Sequence, residues 1–231
     1  MTPEHAAALR PLLTRRSTAA LRPPAPSDEQ IEAILQAATT VPDHSSLRPW
    51  RFVVVCDEAR TAFGEALAQA ALEQRPDLEA AALEKIRNKA FVAPALIAVA
   101  AHVDPSAKVP VWEQVASATC AGYAIALAAH QLGLGAIWKS APVHQGVAIE
   151  KALDLTPDDV FLGWVNVGHT GDAWEVVERP AADLGARFGQ RRDLGTGDPG
   201  ELLLRAPVVL RIAFGQTAGR LLLGLRGRPR R

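Results

Sequence analysis

Cysteine is nearly absent: Cys56 and Cys120 are the only two in 231 residues. Two thiols make neither a disulfide framework nor a closed zinc site, and their apolar neighbours predict two buried free thiols. The histidines are few and scattered. His44, His102, His130, His144 and His169 form no His-Glu-x-x-His pair and find no Cys partner at ligand spacing, so no metal site is expected. No Gly-x-Gly-x-x-Gly follows a predicted strand, and no Gly-x-x-x-x-Gly-Lys-Ser/Thr occurs, which removes both glycine-rich phosphate-binding devices. A Gly-x-Ser-x-Gly nucleophile elbow is missing too. The only adjacent carboxylates near the end of the body, Asp158-Asp159, fall in a predicted turn. No apolar run reaches the roughly 20 residues of a membrane span. Met-Thr-Pro-Glu-His lacks a basic region leading into an apolar one, and the expected location is the cytoplasm.

What the chain has is enough apolar residue to bury a sizeable core: 48% hydrophobic, with 25 basic and 25 acidic residues in balance. That neutrality hides an asymmetry. From Gly185 to Arg231 there are ten arginines, no lysine, and only Asp193, Asp198 and Glu201 against them, a net charge of +7. The expected organisation is therefore a folded domain over 1–184 and a poorly ordered Arg/Gly/Leu-rich extension over 185–231. Contact with nucleic acid or an acidic membrane surface is conceivable only through that extension.

The body reads as helix-rich α+β. Ala6 to Arg15 predicts a first helix, and Ser27-Asp28-Glu29-Gln30 is a capping box opening a second that stops near Thr40, ahead of Pro42. Arg51–Cys56 and Pro94–Ala101 read as strands, with helical sequence from Glu58 to Asn88 between them. A long helix is expected from Glu113 to Leu134, its Ala-rich middle suited to close helix packing. Gly133 and Gly135 end it before a short strand at Ala136-Ile137-Trp138. Val147 to Leu153 predicts a helix and Phe161–Gly168 a last strand. Trp50 and Trp112 are expected in the core.

Three segments concentrate cations, hydroxyls and an imidazole at element ends: Arg15-Arg16-Ser17, the loop from Pro42 through His44 and Arg48 to Trp50, and Trp138-Lys139-Ser140. A phosphate would find charge there, and free backbone N–H groups at those ends. Glu113 is explained by the dipole of the helix it starts and is given no catalytic role.

"LLTRRS", "APSDEQIEAILQAATTVPDHSSLRPWRFVVV", "KVPVWEQVASATCAGYAIALAAHQLGLGAIWKS" and "FLGWVNVGH", in that order and spacing, resemble the FMN-dependent nitroreductase family, in particular its compact NAD(P)H nitroreductase subgroup. The resemblance runs from about Leu9 to about Gly171. It implies an α+β nitroreductase-like fold, with a mixed, mostly antiparallel sheet flanked by helices, in an intertwined homodimer that holds FMN between subunits. It also implies that Arg15, Arg16 and Ser17 grip the FMN phosphate and ribityl chain, and that Trp138, Lys139 and Ser140 run along the flavin. His44 and the residue four positions earlier, Thr40, would reach the flavin bound mainly by the other subunit. Three positions depart from the family pattern: Thr40 and Lys139 each stand where relatives have Arg, and Arg48 stands where they have Gln. The implied activity is a ping-pong cycle in which NADH or NADPH reduces FMN and a nitroaromatic or quinone then takes the electrons. The alternative is a non-catalytic flavin-binding or sensing protein that docks through its basic tail.

Overall fold

In the computed structural model the described residues are 2–140 and 146–171. The extension predicted over 185–231 lies outside them. In chain order the elements are α1 (Pro3–Thr14), β1 (Leu21–Arg22), α2 (Asp28–Ala38), β2 (Trp50–Cys56), α3 (Ala59–Gln74), α4 (Ala80–Arg87), β3 (Ala95–His102), α5 (Val111–Gln131), β4 (Leu134–Lys139), α6 (Val147–Ala152) and β5 (Asp159–Thr170).

Local signals set most of these boundaries. The Ser27 hydroxyl accepts from the Gln30 amide N–H at 3.3 Å, and the Gln30 side chain accepts from the Ser27 N–H at 2.9 Å, so the capping box is complete. The helical stretch after Glu58 splits into α3 and α4 around Pro76, whose ring cannot continue a helix. The helix expected to end at Leu134 stops three residues earlier: Gly133 takes a left-handed φ of 75°, and Leu134 instead opens β4. At two residues, β1 is too short to leave a pattern in the sequence.

All named strand pairs are antiparallel, and β5 lies at the centre. Along one side of it β3 and β1 follow end to end, with β2 outside β3; along the other side runs β4. One parallel bridge, Ser17 to Ala136, extends the β4 edge and makes the sheet mixed. Helices cover both faces. Phe63 and Leu67 of α3 with Ile149 of α6 pack on Leu96 and Trp164, the Phe63 and Trp164 rings meeting edge-on at 5.4 Å. On the other face Ile34 of α2 and Ala121, Ile125 and Ala129 of α5 cover Ile97, Val99, Val165 and Val167.

The outward face of α5 corrects two expectations. Trp112 is 69% exposed rather than in the core, and Cys120 is exposed rather than buried, while Cys56 is half-buried. Trp112, Ala116, Cys120 and Tyr123 recur at helical spacing on the side of α5 turned away from the sheet, which is why an apolar pattern there does not mean burial within this chain. Leu9, Leu12 and Leu13 of the neighbouring α1 are also exposed. Among the described residues no helix is long and apolar enough to cross a membrane.

Candidate functional site

The candidate residues gather into two groups. The first lies on the β4 edge, where the Thr18 N–H donates to the Ala136 carbonyl at 3.1 Å and draws Arg15-Arg16-Ser17 alongside β4. Segments more than a hundred residues apart in sequence thus share one sheet edge, Arg15-Arg16-Ser17 on one and Trp138-Lys139-Ser140 at the end of the other. Not every backbone N–H at this element end is available. Arg15 caps the C-terminal end of α1, and its own N–H is taken by the Pro11 carbonyl. Paired guanidinium forks match a phosphate.

Packing fixes this edge. The Arg15 guanidinium lies 5.6 Å from the centre of the Tyr123 ring on α5. Beside it Thr14 donates to the Arg10 carbonyl at 2.8 Å, which leaves its oxygen to accept from His130 Nε2 at 3.0 Å. Burial and then the Arg15 charge lower the His130 pKa from its ordinary value, so the imidazole is neutral at pH 7. Trp138 depends on two glycines and a bulge. A Cβ on Gly122 of α5 would fall 2.0 Å from its ring, so only glycine admits the indole. In β5, Leu162 is skipped between the pairs Val99–Gly163 and Ala100–Phe161, and its carbonyl accepts from the Trp138 indole N–H at 3.2 Å. Gly163, at φ 111°, passes so close to the Lys139 carbonyl that a Cβ would sit 2.3 Å from it. Gly122 and Gly163 were not identified from sequence. A glycine interrupting the strand Phe161–Gly168 was the available signal for the second.

The second group is the loop between α2 and β2. Ser45, Ser46 and Arg48 all take left-handed φ values, 63°, 54° and 51°, a strained run for residues with side chains. Hydrogen bonds hold it. Ser117 of α5 donates to the Pro42 carbonyl at 2.7 Å, and the Arg48 N–H donates to the Asp43 carboxylate at 2.8 Å. One turn before Ser117, Glu113 lies 2.7 Å from His44 Nδ1. The Thr40 hydroxyl donates back to Ala37 of α2 at 2.8 Å. Thr40 and Arg48 nevertheless line one cavity of about 580 Å³, with Asp43, Ser46 and Trp50. A groove of about 630 Å³ between α2 and β2, walled by Ile31, Leu35, Val54 and Cys56, contains none of the eight candidates. There burial, then the Asp57 carboxylate, push the Cys56 thiol up and away from nucleophile chemistry.

Within one chain the two groups do not meet. Glu113, which holds His44, and His130, which braces Thr14, are 17 residues apart on α5, about 25 Å along its axis. Across the sheet, β2 and β4 are three strand spacings apart, about 14 Å.

A third polar cluster lies apart, where β2 starts and β3 ends. The Asp159 carboxylate, fully buried, accepts from Arg51 at 2.9 Å, from the Thr156 N–H at 2.7 Å and hydroxyl at 2.9 Å, and lies 3.0 Å from His102 Nδ1. Burial raises its pKa, but the bonds from Thr156 and His102 and the Arg51 charge outweigh that and hold the carboxyl below its ordinary range. This cluster ties strand ends together.

Known proteins resemble this chain in sequence and in fold. The sequence profile of the Nitroreductase family matches residues 12–169, from the end of α1 to the end of β5. The chain belongs to that family. It is 38% identical over 161 residues to the Escherichia coli K12 protein named "Putative NAD(P)H nitroreductase YdjA", covering 70% of this chain and 87% of that one. A Haemophilus influenzae protein named "Putative NAD(P)H nitroreductase" is 40% identical over 162 residues, with the same coverage. Among solved structures, a nitroreductase-like family protein from Bacillus cereus superposes with a TM-score of 0.68 at 22% identity, over 82% of this chain and 97% of its own. The FMN-dependent nitroreductase NfnB from Mycobacterium smegmatis, solved in complex with NADPH, gives 0.63 at 18% identity, over 82% and 100%. These likenesses confirm the α+β nitroreductase fold expected from sequence.

Proposed function

We propose that this chain is an FMN-dependent oxidoreductase that draws electrons from NADH or NADPH and delivers them to flat aromatic acceptors of the nitroaromatic or quinone type. The observation that carries the reading is the Ser17–Ala136 bridge, which lays the Arg15-Arg16-Ser17 segment against β4, the strand that leads into Trp138, Lys139 and Ser140. The relatives named for NAD(P)H and the FMN-dependent NfnB support the same choice of cofactors. Bound FMN supplies the redox chemistry. Arg15 and Arg16 hold its phosphate, with the Ser17 hydroxyl as a further donor. Lys139 and Arg48 supply positive charge where reduction adds negative charge. Trp138, clamped by Gly122 and the Leu162 carbonyl, keeps the Lys139-Ser140 segment in place along the ring system.

The working form is a homodimer. Glu113 and His130 mark opposite ends of α5, so a two-fold pairing of α5 helices would carry Thr40 and His44 of one copy to the Arg15–Ser17 grip of the other. The exposed Trp112, Tyr123 and α1 leucines supply an apolar face for that pairing.

Purified protein should be yellow and release FMN on denaturation. Anaerobic NADH or NADPH should bleach the flavin, and a quinone or nitro compound should restore its colour. A colourless protein that takes up no FMN refutes the assignment. Bleaching that no acceptor reverses would instead favour a flavin-binding or sensing role. A monomer in sedimentation that still binds FMN with full affinity refutes the shared site.

A further inference from the structure

We propose that Glu113 is a positioning residue for His44: its carboxylate holds the imidazole with Nδ1–H turned toward α5, leaving Nε2 as the atom that His44 offers to the flavin. The proposal rests on the flavin reading above. A carboxylate can only accept, so the 2.7 Å contact between Glu113 Oε2 and His44 Nδ1 puts the proton on Nδ1. In the neutral ring Nε2 is then an acceptor. The imidazole is 62% exposed, and Nε2 has no hydrogen-bond partner among the described residues.

The surroundings favour a single ring orientation. Glu113 and Ser117, one turn apart on α5, grip the loop at His44 and at the Pro42 carbonyl. From the loop itself the charged neighbours are Asp43, whose carboxylate receives the Arg48 N–H, and Arg48. No regular ladder supports this stretch, because Ser45 and Ser46 follow His44 in left-handed conformations. An exposed pair of this kind adds little stability, so its effect falls on ring geometry rather than on folding. The dipole at the start of α5 favours an anion at Glu113, which accounts for the residue but not for its contact with His44.

Nitrogen NMR of the full chain without added ligand, at a pH of about 8 where an ordinary imidazole is neutral, tests the pair directly. The proton should reside on Nδ1 of His44 in the wild type. It should stay there in Glu113→Gln, whose amide oxygen still accepts, and shift to Nε2, as in free histidine, in Glu113→Ala. FMN binding should weaken about tenfold in Glu113→Ala and recover in Glu113→Gln, as for other residues that orient a ligating imidazole. Melting temperatures of both variants should fall equally and by no more than a few degrees, because both lose the charge that the α5 dipole favours. A wild-type His44 protonated on Nε2, or a tautomer unchanged in Glu113→Ala, overturns the proposal. An altered tautomer with unaltered FMN affinity overturns the role toward the flavin while leaving the flavin assignment intact. A wild type that binds no FMN overturns that assignment and the flavin half of this proposal together, and the NMR result separates that failure from one of Glu113.

Discussion

The β4 edge and the 40–50 loop are built by opposite means. On the β4 edge the functional side chains sit on a strand and a strand-like segment locked by missing side chains: Gly122 for the Trp138 ring, Gly163 for the Lys139 backbone. In the loop they sit on left-handed backbone that departs from any regular ladder, tied down by Ser117, Glu113 and Asp43 through single hydrogen bonds. A site held by packing tolerates loss of a hydrogen bond but not gain of a methyl group. A site held by hydrogen bonds tolerates the reverse.

Substitutions at each place test the contrast. The largest effect is expected from removing Arg15 and Arg16 together. Each charged bond to a phosphate contributes about 1.5–3 kcal/mol, so FMN affinity in fluorescence titration should fall about a hundredfold or more, with the urea midpoint little changed. Next comes Gly122→Ala, whose methyl group meets the Trp138 ring. It should cost about 1–3 kcal/mol in urea unfolding and lower FMN content with it. Ser117→Ala, at the loop, should cost only about 1 kcal/mol and leave the FMN held by the β4 edge largely in place. Smallest is Ser46→Gly, which relieves a φ of 54° and should change stability by no more than about 1 kcal/mol, in the stabilising direction.

A pH series provides a reference outside both regions. The Asp159 carboxyl is held below its ordinary value of 3.8, so its contribution is complete above that pH and is lost as pH falls below it, toward the folded-state value. Asp159→Asn should lack that part of the acid-unfolding profile while keeping FMN affinity at neutral pH.

The same contrast decides what could be read from sequence. Ser27 and Gln30 announced α2 because a capping box is local, and β3 announced itself by an unbroken apolar run. Arg15-Arg16-Ser17 and Trp138-Lys139-Ser140 were found as site candidates because cations and hydroxyls stand out at element ends. That both segments lie along one sheet edge was not legible, since the Ser17–Ala136 bridge joins residues far apart in the chain. Glu113 was assigned to the α5 dipole alone; its contact with His44 depends on how a loop folds back over a helix. Trp112 and Cys120 were misplaced because apolar spacing on α5 is the same whether a face meets the sheet or turns away from it. Gly122 looked like one more small residue in an alanine-rich run until the Trp138 ring was seen against it.

Because α5 carries Glu113 and Ser117 at one end and Gly122, Tyr123 and His130 toward the other, its residue count sets the angle between the two regions as well as their separation. Deleting one residue between Ser117 and Gly122 would turn the two ends against each other by about 100°, aiming either the loop clamps or the Trp138 slot in the wrong direction. Inserting seven residues, close to two full turns, would nearly preserve the angle while moving the ends about 10 Å further apart. The length of this helix can therefore change only in near-whole turns, a constraint on insertions and deletions that neither region imposes alone.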